Sequence, residues 1–227
     1  MRAIFYPFMK DDHLEIISIK NESAKHLQVV RVKLDDEILV LNGVGARAYT
    51  KIVNISKTQV DLFVSRVEES VRCHSINLAI ANPKKEAFED ILKISVEMGV
   101  VNIFPLKSDY SQYDFIKNER VERIIESALV QSNNAFLPII HEQVSLLQFL
   151  DQLNTPLFFF NSRPMGNVKI NKSFDEITLL IGPEGGFSLS EEELITSKAG
   201  VISIHMPTPI QRAPTAVASS IGYLLSP

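Results

Sequence analysis

Residues 179–193 read LLIGPEGGFSLSEEE, and the reading of this stretch decides the fold. An apolar run breaks at Gly182 and Pro183, passes through Glu184, Gly185 and Gly186, and gives way to a helix start marked by Ser190 and Glu193, spaced as a capping box. The pattern is a strand, a tight Gly-rich loop and a helix. Closely spaced glycines let a backbone turn through φ > 0 and bring its N–H and C=O groups against a ligand with no Cβ between them. Taken alone, these residues describe either a holder for a flat polar ligand or a bare βα turn.

Outward from this loop, strands and helices alternate. Toward the N-terminus lie a buried strand Ile76–Ala81, an amphipathic helix Lys84–Met98 stopped by Gly99, a strand Val100–Leu106, a helix Glu119–Ser132, a short helix Leu146–Leu153 and strands Leu157–Phe160 and Ile177–Ile181. Beyond the loop come a helix Glu191–Ala199 ended by Gly200, a strand Val201–His205 and a last helix from about Pro214 to Leu225. This alternation predicts an α/β layer structure around a mainly parallel sheet, whose ligands sit at the carboxyl ends of the strands. Three loops leave those ends: Asn161–Gly166, Gly182–Phe187 and Met206–Pro214, each rich in Gly, Pro or small polar residues. A pocket of backbone from three loops suits a nucleoside-like cofactor. No G-x-G-x-x-G follows a strand and no G-x-x-x-x-G-K-[ST] occurs, which disfavours dinucleotide and nucleoside-triphosphate sites of the usual kinds.

Residues 1–70 follow a different period. Ala3–Tyr6, Leu14–Ile19, Glu37–Asn42, Ala48–Ile55 and Val60–Val67 are short β-branched or aromatic runs separated by turn signals such as Asn42-Gly43, and a small barrel is their natural closure. Between the second and third strands, Ser23–Arg31 places Ala24, Leu27 and Val30 at helical spacing. The cations left over, Lys25, His26, Arg31 and Lys33, form either a phosphate-contacting edge or a solvated helix face. The polar stretch Glu68–His74 breaks the strand pattern and reads as a linker.

Charge supports this division. The net charge is −4, with ten Lys/Arg against ten Asp/Glu in residues 1–70 and thirteen against seventeen beyond, so the first segment is the less acidic and permits an RNA-facing patch. One cysteine, Cys73, excludes an internal disulfide and a multi-cysteine zinc site, and the five histidines show no metal-ligand spacing. No apolar run reaches the ~20 residues of a membrane span, and the N-terminus does not read as a signal peptide, so the chain is expected to be cytoplasmic.

Five motifs in order carry a resemblance. His26-Leu27-Gln28-Val29-Val30-Arg31, Glu97-Met98-Gly99-Val100, Gln131-Ser132, Gly182-Pro183-Glu184-Gly185-Gly186-Phe187-Ser188 and Arg212 with Thr215-Ala216 together resemble the RsmE family, which methylates N3 of a uridine in 16S ribosomal RNA. The resemblance implies an α/β fold of SPOUT type, with a parallel sheet and a C-terminal trefoil knot over residues 74–227, preceded by a PUA-like β-barrel RNA-binding domain over 1–70. It implies a homodimer that binds S-adenosylmethionine and acts on RNA within the small ribosomal subunit, while the residues themselves lead us to expect no metal and no membrane. The cofactor-binding residues it implies are Phe160, Asn161, Ile181, Gly182, Glu184, Gly185, Gly186, Met206, Ile210, Gln211, Thr215 and Ala216. Arg212 is the implied catalytic cation, and Lys84 and Lys85 join Lys25, His26, Arg31 and Lys33 as RNA-binding residues. Two departures stand out: Pro214 occupies the place of the family's acidic residue, and Asn133-Asn134 the place of an Arg. Two further functions fit the same residues, methylation of another RNA atom and an RNA-binding homologue with impaired catalysis.

Overall fold

The computed structural model describes residues 2–7, 15–20, 24, 27, 31–72, 74–161 and 175–226. Two compact units emerge, one of Met1–Val71 with Glu126–Leu137 and one of Arg72–Ile125 with Pro138–Pro227.

The first unit is built on β1 (Arg2–Phe5), β2 (Ile16–Lys20), β3 (Glu37–Leu41), β4 (Ala46–Ile55) and β5 (Gln59–Glu69), hydrogen-bonded in the order β1-β3-β4-β5-β2. This is the curled sheet of the PUA-like barrel. Alternate residues of all five strands, among them Ile4, Ile19, Ile38, Ile52 and Leu62, meet in one core, which Ala24 and Leu27 also enter at the helical spacing expected of them. β5 runs two residues past the predicted end because β4 still pairs with it there, as far as Ala46 opposite Glu69. Arg47 stands opposite Glu68 and Tyr49 opposite Arg66, whose guanidinium lies 4.0 Å from the Tyr49 ring centroid. Asn133 ends the helix Glu119–Ser132 in the left-handed region (φ 52°), a conformation that asparagine tolerates better than most side chains.

The second unit carries β6 (Ile76–Ala81), α1 (Lys85–Glu97), β7 (Asn102–Lys107), α2 (Glu119–Ser132, of which residues 119–125 belong here), β8 (Ile139–Ile140), β9 (Val144–Ser145), α3 (Leu146–Gln152), β10 (Leu157–Phe160), β11 (Ile177–Ile181), α4 (Leu189–Ser197), β12 (Val201–Ile204) and α5 (Ala213–Leu225). Every strand pair is parallel, in the order β12-β10-β11-β6-β7-β8, with β9 also on β7. Both faces of the sheet are covered, so β6 and β11 read as apolar runs interrupted only by the buried Asn77 and Thr178. On one face Ala79, Ala81, Leu157, Phe159 and Leu180 pack with Leu146, Phe149, Leu150 and Ile195 from α3 and α4. α1 and α5 pack against each other, and α5 also packs against β11.

Several limits differ from the sequence reading by a residue or two, and three differences have a clear physical reason. β7 begins at Asn102, because the Val100 N–H bonds Ser95 of α1 and the Val101 N–H bonds Ile76. β8 and β9 are two residues each, too short for a periodic signal. α4 begins at Leu189, and its capping box is Ser188 with Glu191, not Ser190 with Glu193. Both pairs have the capping spacing. The earlier one prevails because Glu191 serves two donors at once: its Oε2 accepts from Ser188 N–H at 3.0 Å and its Oε1 from Asp109 N–H at 2.9 Å. Ser188 Oγ in turn donates to Asp109 Oδ2 at 2.6 Å. A tertiary partner thus chose between two locally equivalent caps.

Candidate active site

β12, β10 and β11 are neighbours in the sheet, so the loops leaving their carboxyl ends lie side by side. A cleft of about 260 Å³ opens there, lined by residues of all three. Asn161 follows β10, and its N–H bonds the Ile204 carbonyl at the end of β12. The loop after β11 turns through a Gly186 N–H to Pro183 carbonyl bond of 2.9 Å, with Gly186 at φ 71°. Gly185 has a different reason to be glycine: a Cβ there would stand 3.2 Å from Cβ of Tyr110, which packs over the loop. The loop after β12 leads through Met206 and Gln211 into α5, with Pro214 in its first turn as expected.

Eleven of the twelve residues expected to bind the cofactor line this cleft: Phe160, Asn161, Ile181, Gly182, Glu184, Gly185, Gly186, Met206, Ile210, Gln211 and Ala216. Thr215 does not; it is exposed on the first turn of α5 and its carbonyl accepts from Ser219 Oγ. Arg212 is the N-cap of α5, with its carbonyl accepting the Ala216 N–H and its exposed side chain outside the cleft lining. Glu184 braces the loop: Oε1 accepts from the Lys84 N–H at 3.2 Å, at the start of α1. Arg31 and Lys33 are exposed in the first unit, Lys84 and Lys85 in the second. Lys25 and His26 lie outside the described residues.

The cleft also has walls beyond the residues expected at the cofactor, including Phe187 and Ala213 within the loops and Phe159, Glu192 and Ser220 outside them. A signal for two of them existed. Ala213 and Ser220 share the helical face of Ala216, three residues before it and four after. Among the described residues, the charged groups lining the cleft are the carboxylates Glu184 and Glu192, so the site suits a ligand with positive charge. No three described His, Cys, Asp or Glu side chains cluster as metal ligands would, and no described helix is long and apolar enough to cross a membrane.

A parallel α/β sheet with a glycine-lined cleft at the carboxyl ends of three adjacent strands defines a protein that takes a nucleoside-sized ligand at its strand ends. The chain belongs to the RNA methyltransferase domain family, whose model matches residues 70–225, and the RNA methyltransferase PUA domain matches residues 19–65. It is 26% identical over 202 residues to ribosomal RNA small subunit methyltransferase E of Rickettsia conorii, covering 86% of this chain and 83% of that protein. The similarity to its counterpart in Aquifex aeolicus is 24% over 230 residues, or 98% and 99% of the two chains. The same fold occurs in the Neisseria gonorrhoeae enzyme of that name, solved bound to S-adenosyl methionine, with a TM-score of 0.88 at 20% identity over 99% of this chain and 96% of that one.

Proposed function

We propose that this protein transfers the methyl group of S-adenosylmethionine to N3 of a uridine in 16S ribosomal RNA of the small subunit, acting in the cytoplasm as a homodimer with the knotted C-terminal threading that the RsmE resemblance implies. The observation that carries the reading is the cleft itself: glycine-lined, largely apolar on its remaining walls, and carrying the carboxylates Glu184 and Glu192. When bound, the donor supplies a methyl group on a positively charged sulfonium, which two carboxylates complement. Gly182, Gly185 and Gly186 would hold the donor along their backbone, and Phe159, Ile181 and Met206 would keep water from it.

Methyl transfer is an in-line displacement, so the protein's main task is alignment. Uridine N3 must lose its proton, and a cation beside O2 or O4 favours that loss as negative charge develops there. Arg212 is the residue proposed for this role. Its neighbours Gln211 and Ala213 line the cleft while its own side chain is exposed, which suits contact with the RNA rather than with the donor. Lys25, His26, Arg31, Lys33, Lys84 and Lys85 are the proposed phosphate contacts. Pro214 in the first turn of α5, where the family has an acid, favours a second reading: an RNA-binding homologue with impaired turnover.

Calorimetry with S-adenosylmethionine, followed by mass mapping of the nucleoside methylated in small subunits from a deletion strain, tests the reading. Saturable binding and 3-methyluridine support it. Binding with a methyl group at another atom moves the function within the family, and absence of binding favours the second reading.

A further inference from the structure

Two adjacent serines of α5 have opposite fates. Ser219 Oγ donates to Gln211 Oε1 at 2.7 Å and lies 2.8 Å from the Thr215 carbonyl. Ser220 is fully buried, and its Oγ has no hydrogen-bond partner among the described residues. A buried hydroxyl left bare is destabilising, and such groups in folded proteins call for an explanation. A helical serine can satisfy itself on the carbonyl four residues back, here that of Ala216; Ser220 does not, and Ser219 Oγ lies 3.2 Å from that carbonyl instead. Ser220 lies on the same helical face as Ala213 and Ala216, and all three line the cleft. This helical wall is therefore apolar and narrow-sided except for one hydroxyl. A single polar group set in an apolar wall is how binding sites fix the orientation of a flat ligand.

We propose that the Ser220 hydroxyl is a donor-binding group that hydrogen-bonds the edge of the adenine ring of the bound methyl donor. The proposal rests on the cleft being the S-adenosylmethionine site. The purine is the flat, uncharged part of that ligand and the part that an apolar wall accepts. The amino-acid end carries an ammonium and a carboxylate, which a lone hydroxyl between alanines cannot compensate. The hydroxyl both donates and accepts, so it can serve either a ring nitrogen or the exocyclic amine. In the free protein it costs stability, and the ligand supplies what it lacks.

Ser220→Ala tests this by two readouts that move in opposite directions. Calorimetry on the full chain uses S-adenosylmethionine and 5′-methylthioadenosine, which keeps the adenosine and lacks the amino-acid end. The variant binds both about three- to tenfold more weakly than wild type, by the same factor, as expected for one lost hydrogen bond. Its melting temperature without ligand is equal to or above that of wild type, because the bare hydroxyl is gone and alanine is the better helix former. Unchanged affinity for both ligands, with wild type binding normally, overturns the proposal. So does weakening confined to S-adenosylmethionine, which places the contact at the amino-acid end, or a fall in the ligand-free melting temperature, which gives the hydroxyl a structural partner. If wild type binds neither ligand, the reading of the cleft as a donor site fails, and the proposal falls with it.

Discussion

Glu184 is the one acid inside the Gly-rich loop, and its replacement separates a structural brace from a general base. Its carboxylate accepts one hydrogen bond, 3.2 Å long, from the Lys84 N–H, the N-cap of a helix whose own cap side chain makes no hydrogen bond. A carboxylate at a helix N-terminus contributes about 0.3–1 kcal/mol through the dipole, and a charge-assisted bond somewhat more. The bond is long and the side chain exposed, so the total is about 1 kcal/mol. Glu184→Ala forfeits all of it. If the whole loss falls on the conformation that binds the donor, affinity drops about fivefold. Glu184→Gln keeps an acceptor oxygen and loses only the charge, roughly half as much. Turnover in saturating donor then stays within a few fold of wild type for both variants, measured as label transferred from S-adenosylmethionine to small subunits. A general base behaves otherwise, contributing about 10²–10⁴ to rate. If Glu184→Gln lowered kcat by a hundredfold with donor affinity intact, the brace assignment would be wrong and proton abstraction would return to this loop.

Gly186 stands at φ 71° with nothing within 4 Å of the place a Cβ would take, so Gly186→Ala is strained without a clash. It should cost about 1 kcal/mol or more in denaturant unfolding, and Gly186→Asn less, since asparagine tolerates the left-handed region. Ser188→Ala removes the cap of α4 and should cost about 1 kcal/mol, while Ser190→Ala stays within about 0.5 kcal/mol; equal effects would restore the later capping box. Acid stability depends on Glu89, whose carboxyl is held below the usual range by paired hydrogen bonds from Arg120 at 2.6 and 2.7 Å and by the guanidinium charge. A depressed native pKa stabilises the fold fully above the unfolded value of about 4.3 and loses that contribution as pH falls through the native value. Unfolding free energy against pH should therefore fall less steeply below about pH 4 in Glu89→Gln than in wild type.

The strands that position the cleft were legible because burial on both faces leaves a local mark. Ile76–Ala81, Leu157–Phe160 and Ile177–Ile181 are apolar almost throughout and bounded by breakers, and their observed limits are those read from the residues. The glycines and prolines after β11 and β12 likewise announced loops, and eleven residues expected at the cofactor line one cleft. What stayed hidden depended on partners distant in sequence. Asp109, about eighty positions away, selects Ser188 over Ser190 as the cap of α4, and Tyr110 supplies the packing that explains Gly185.

By itself the sequence determined the longer elements, their alternation and the three loops, because helix and strand periods and turn residues are local properties of the chain. The family likeness of its ordered motifs added the methyl donor. Only the tertiary structure decided which side chains share a wall. Neighbouring serines on α5 are indistinguishable as residues, yet packing satisfies Ser219 through Gln211 and buries Ser220 against the cleft with its hydroxyl bare. Strand order made the same kind of decision on a larger scale: β12, β10 and β11 became neighbours through long-range pairing that no local pattern encodes, and that adjacency turned three separate loops into one site.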